Sequence, residues 1–137
     1  MSLLLARRRF LAQGAGIACA AFAADAAAVP PVLTDRLTAS RFASQINCAF
    51  TARPLAVGAA PAFGMRLRAV EPLRHASPHL SPEVRCERSF VLVFDVAGQR
   101  AVQDTYRVAN AAIGAFDALL VPGHDGSVLT AVFNRLL

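Results

Sequence analysis

The chain has 137 residues, 55% of them hydrophobic, with a mean hydropathy of +0.46 and a formal net charge of +5. That length holds one domain and excludes two ordinary ones. It spells out no nucleotide-binding loop, metal-ligand cluster or nucleic-acid module, so neither a cofactor nor a nucleic-acid partner is expected.

Residues 1–28 carry much of the apolar excess, as Ala, Leu, Phe and Gly around an arginine cluster. Such a stretch reads as a targeting segment and is set apart from the fold. Its Arg7-Arg8-Arg9-Phe10-Leu11 resembles the twin-arginine translocation (Tat) signal, with Arg7 and Arg8 as the pair and Phe10 and Leu11 as the apolar end. The following residues are only weakly apolar, which suits that route. They fall short of the ~20 apolar residues a membrane span needs, so no span is expected once the leader is cut. Small residues permit cleavage after Ala23, Ala26 or Ala28. The resemblance implies the Tat translocase as a partner during export and a periplasmic or secreted location. An uncleaved amphiphilic anchor is the alternative.

Without residues 1–28, eleven arginines face eight acidic residues, a mild +3, and the chain has no lysine. Cys48 and Cys86 are then the two remaining cysteines. An even pair in an exported protein reads as a possible disulfide, with two buried thiols as the alternative.

Residues 29–36 contain Pro30-Pro31 and read as an extended lead-in to a domain over residues 37–137. Thr38 is a suitable N-cap for a short helix, with Leu37 packing on Phe42 as a hydrophobic staple. Phe42 and Ile46 fall on one helical face at i, i+4. A strand follows over 48–53, and another over 63–70 in which Phe63, Met65, Leu67 and Ala69 alternate with Arg66 and Arg68. Residues 72–88, with Pro72, Pro78 and Pro82, read as one long irregular connection. Residues 89–96 are the most apolar strand; Phe90, Leu92, Phe94 and Val96 take one face, and Val91 and Val93 take the other. Apolar residues on both faces predict a strand covered on both sides. Strands at 102–108, 115–121 and 128–133 complete the set, the last two joined by a hairpin turn at His124-Asp125-Gly126-Ser127. The pattern is mainly β: a small antiparallel β-barrel or roll of about six strands with one short N-terminal helix.

Five segments carry a resemblance: Leu37-Thr38-Ala39…Phe42, Phe90-Val91-Leu92-Val93-Phe94, Gln103-Asp104-Thr105-Tyr106, Gly114…Leu119-Leu120-Val121-Pro122, and Ala131-Val132-Phe133-Asn134. Together they are similar to a family of small bacterial β-rich domains of uncharacterised function, over about residues 37–134. The motifs are structural, so the resemblance implies a shared β fold and assigns no activity.

Candidate chemistry is sparse. His75 and His79 have the i, i+4 spacing of a metal pair, but Pro78 opposes a helix there and no third ligand is spaced to join them. His124, Asp125 and Ser127 are the residue types of a hydrolytic triad, yet neighbours in one hairpin do not reach triad geometry. Glu83 and Glu87 could form a carboxylate pair. Arg66, Arg68, Arg85, Arg88 and Arg107 could gather into a basic face, against a dispersed solvated one. Tyr106 is expected to point inward with its hydroxyl on a backbone group. A well-patterned core without a catalytic constellation favours a non-enzymatic binding or scaffolding domain that holds an envelope or secreted protein. A small periplasmic hydrolase or ligand-binding protein using the 72–88 loop, with His75, His79 and His124 as weak candidates, is the alternative.

Overall fold

The computed structural model describes residues 29–58, 60–73, 79–98 and 101–135. The strands are β1 (Ala49–Pro54), β2 (Phe63–Pro72), β3 (Ser89–Asp95), β4 (Asp104–Asn110), β5 (Gly114–Pro122) and β6 (Val128–Asn134). All neighbours are antiparallel, and the strands close into a barrel in the order β1-β2-β3-β6-β5-β4. Two three-stranded meanders, β1-β2-β3 and β4-β5-β6, are joined where β3 lies against β6 and β1 against β4. Helix α1 (Ala39–Ala43) precedes the barrel, and α2 (Pro82–Arg88) leads directly into β3.

Side-chain alternation decides which face of each strand turns inward. On β2, Phe63, Met65 and Leu67 are buried while Gly64, Arg66 and Arg68 face water. A bulge at Arg68 shifts the register, so Leu67 opposes Phe94 but Ala69 opposes Val93. Phe50 and Ala52 of β1, Phe90, Leu92 and Phe94 of β3, Leu120 of β5, and Leu129 and Ala131 of β6 fill the same interior. A barrel this narrow is packed by its own side chains.

Helix α1 closes one end. Phe42 is fully buried, with ring centroids 5.4 Å from Phe116, 5.7 Å from Phe90, 5.8 Å from Phe133 and 6.4 Å from Phe50. Leu37 is buried in the same core, as a staple requires. Ile46 departs from the expected pairing. The helix stops at Ala43, so i+4 from Phe42 lies past its end and Ile46 is 39% exposed. Asn47 then takes a left-handed φ of 71°, which asparagine tolerates, and its amide bonds the Leu67 carbonyl at 2.7 Å to start β1.

Thr38 holds the N-cap position of α1, but its hydroxyl caps no amide. Glu87 of α2 supplies the acceptor instead, taking bonds from the Ser40 amide at 3.2 Å and the Ser40 hydroxyl at 2.9 Å. Helix α2 lies inside the segment expected to be irregular. Pro82 opens this helix at its first turn, where its missing N–H costs nothing, and the Ser81 hydroxyl accepts from the Val84 amide at 3.4 Å.

The seam between β5 and β6 is short, with partners only at Val121–Thr130 and Pro122–Leu129. The lead-in runs beside part of the remainder. Val32 N–H donates to Ala115 O, and Ala115 N–H to Pro30 O, both at 2.9 Å, forming a parallel bridge to β5. The Arg135 guanidinium reaches across from beyond β6 to the Thr34 carbonyl. Residues 30–37 form a strap beside the seam; only the part before Thr34 is extended, because Thr34–Arg36 close into a 3-10 turn, which corrects the expectation of an extended lead-in to residue 36.

The expectation for β3 is corrected on its outer side. Its inner residues are fully buried, whereas Val91 and Val93 are only half-buried because no layer covers them.

Candidate functional site

The two described histidine candidates, His79 and His124, do not converge. Among the described residues no group of three or more His, Cys, Asp or Glu is placed to hold a metal ion. His79 is exposed ahead of α2, which ends at the Ser89 end of β3. His124 is exposed in the β5–β6 hairpin, next to Val128, which pairs with Asp95 at the other end of β3. Seven strand residues, about 20 Å, separate those ends. His75, like Arg7, Arg8, Phe10 and Leu11 of the leader, lies outside the described residues.

The hairpin at His124 is a turn by construction. Asp125 accepts from the Ser127 hydroxyl at 2.8 Å and amide at 3.0 Å, and these bonds hold its carboxyl below the usual carboxylate range. Ser127 is thus committed to Asp125 and not to the neighbouring imidazole.

No bond joins Cys48 and Cys86, contrary to the expected possible disulfide. Cys48 is half-buried at the entry to β1, its carbonyl receiving the Leu67 amide at 3.1 Å, whereas Cys86 is exposed on α2. The first is fixed by strand pairing and the second faces solvent.

The arginines are spread around the barrel. Arg68 is paired with Asp95 at 3.3 Å and Arg107 with Asp117 on the adjoining strand. Arg85 and Arg88 lie on α2, at the opposite end of β3 from Arg68. Glu87, one of the two candidate carboxylates on α2, accepts from the Ser40 amide and hydroxyl. Tyr106 points inward as expected, edge-on to Phe63 at 5.6 Å, and its hydroxyl donates to the Val102 carbonyl at 2.7 Å. Burial, then the charge of Asp104, push its pKa above 10.0.

Two surface features remain that residue types alone did not reveal. The first is a groove of about 480 Å³ beside the β2–β3 pairing. Strands β2 and β3 are partners only from Arg66–Asp95 onward. Past Asp95 the chain leaves β2, and the Val96 amide bonds the Ser127 carbonyl at 2.8 Å. The wedge left open is lined by Gly64, Arg66, Asp95, Val96, Ala97 and Ser127. The second is an apolar strip on the outside of β3, β6 and β5. Val91 opposes Val132, Val93 opposes Thr130, and Thr130 opposes Val121. Val132 is 59% and Leu119 51% exposed, with Val91, Val93 and Val121 half-buried between them. Alternation placed each of these residues on its face, but only the strand order makes them neighbours.

Asn110 is a structural residue that sequence reasoning passed over. Its side-chain oxygen accepts from the Ala112 and Ile113 amides at 2.8 and 3.2 Å, and its side-chain nitrogen donates to Ala49 O at 3.0 Å. It shapes the β4–β5 turn and ties it to β1. Its signal was an asparagine four residues before a glycine at a strand junction.

Among the described residues no helix is long and apolar enough to cross a membrane. No curated protein and no solved structure matches the chain. The family model for the domain of unknown function DUF6916 matches residues 37–133, which run from the buried Leu37 of the strap to Phe133 of β6. The chain belongs to the DUF6916 family.

Proposed function

We propose that this chain is an exported, non-enzymatic binding domain that holds a protein component of the cell envelope or a secreted protein through the outside of its barrel. The observation that carries this reading is the contrast between the two sides of the wall. The interior is filled with Phe, Leu and Val, leaving the outer surface to do the binding. On that surface Leu119 and Val132 stand exposed among half-buried valines on three adjoining strands. Clusters of this kind, rimmed by polar residues, are what protein partners cover. The scattering of His79 and His124 supports binding over hydrolysis.

Export brings the Tat translocase as a transient partner, on the strength of Arg7, Arg8, Phe10 and Leu11. The test is co-purification from envelope extract with the wild-type chain and with Leu119→Asp and Val132→Asp. Both substitutions are on the wet face and should leave the circular dichroism spectrum unchanged. A partner retained by the wild type and lost from both variants supports the reading. A partner set identical for all three overturns it.

A further inference from the structure

We propose that the groove between the start of β2 and residues 95–97 is a binding site for a small apolar monocarboxylate. Its volume of about 480 Å³ lies within the range of small-molecule sites. It is separate from the apolar strip, and the proposal depends neither on that strip nor on export.

Three features define the ligand. The first is room: Gly64 faces the groove, and a Cβ added there would meet nothing within 4 Å. The second is an apolar floor, since Met65 and Val96 belong to the buried core and Ala49 and Ala97 form the walls. The third is charge. Asp95, in the groove lining, is engaged by Arg68 at 3.3 Å, and Asp125, two residues before the lining residue Ser127, is engaged by Ser127. Arg66 lines the groove and has no carboxylate partner among the described residues. A guanidinium beside an apolar slot offers a planar fork to a carboxylate whose hydrocarbon body fills the slot. Arg68 offsets the charge of Asp95, and Asp125, which keeps its charge, lies outside the groove lining.

The experiment uses the full 137-residue chain and octanoate as the probe, followed by amide chemical shifts and calorimetry. Saturable binding should perturb Gly64, Val96 and Ala97. Arg66→Gln should weaken it about tenfold, the usual scale of a lost charge-assisted bond. Arg53→Gln removes the same charge from an exposed site outside the groove lining and should change nothing. Gly64→Leu should abolish binding by filling the slot, and octanol, lacking the carboxylate, should bind at least about tenfold more weakly. If Gly64→Leu does not fold, the Arg66→Gln and octanol arms decide. No saturable binding, equal affinity for octanoate and octanol, or full affinity in Arg66→Gln would each overturn the proposal.

Discussion

Gly114 and Val32 meet at the seam of the barrel: a Cβ on Gly114 would lie 3.1 Å from the Val32 Cβ and 3.2 Å from the Pro30 carbonyl oxygen. Gly114 also has a φ of 107°, a backbone region that side-chain-bearing residues rarely enter. The strap can therefore bond to Ala115 only because position 114 has no side chain. Gly114→Ala should destabilise the protein by about 1–3 kcal/mol through backbone strain and strap displacement together. Gly98→Ala, at φ 73° with nothing within 4 Å, incurs the strain alone and should cost about 1 kcal/mol. Denaturant midpoints of the two variants measure the difference, and faster amide exchange at Val32 in the first would locate it.

Phe42 stoppers the barrel end, in contact with Phe50, Phe90, Phe116 and Phe133. Phe42→Ala should cost about 3–5 kcal/mol, because four surrounding rings cannot collapse into the space. Ile46→Ala, beyond the helix end and exposed, should stay within about 0.5 kcal/mol of wild type. Equal effects at the two positions would show that α1 extends and packs as the i, i+4 spacing suggested.

These two positions mark how far the sequence reached. Alternation of Phe63, Met65 and Leu67 with Arg66 and Arg68 was enough to orient β2, because a strand with one wet face carries its own pattern. Six strands and an antiparallel barrel were legible from their alternation, but the strand order was not, since the β3–β6 and β1–β4 pairings join residues distant in sequence and nothing local encodes them. Helix α2 was missed because its prolines were read as breakers, although Ser81-Pro82 is a proper helix start. The groove at Gly64 was invisible for a different reason. It arises where β3 leaves β2, a divergence fixed by the Val96–Ser127 bond and not by any residue type.

Tyr106 predicts an alkaline limit to stability. Its folded pKa is raised by burial, so the folded state keeps a proton that the unfolded state releases near pH 10. Stability is complete below the unfolded pKa and should fall as pH rises through the folded one. It is the sole tyrosine in the chain, so absorbance near 295 nm follows this one group. Tyr106→Phe should flatten the alkaline fall while losing about 1 kcal/mol at neutral pH with the bond to Val102.

Replacing Arg7 and Arg8 with Lys should leave the precursor in the cytoplasm, with its leader uncut, in a cell fractionation. Unchanged export of that double variant would defeat the twin-arginine reading and leave the barrel itself untouched.

The central claim is that the outside of β3, β6 and β5 holds a protein partner, and site-specific photo-crosslinking in cells tests it most directly. A crosslinking residue in place of Val132 or Leu119 should give one discrete adduct, the same from both positions, and none from position 53. No adduct from 132 and 119, or equal adducts from all three positions, would contradict it.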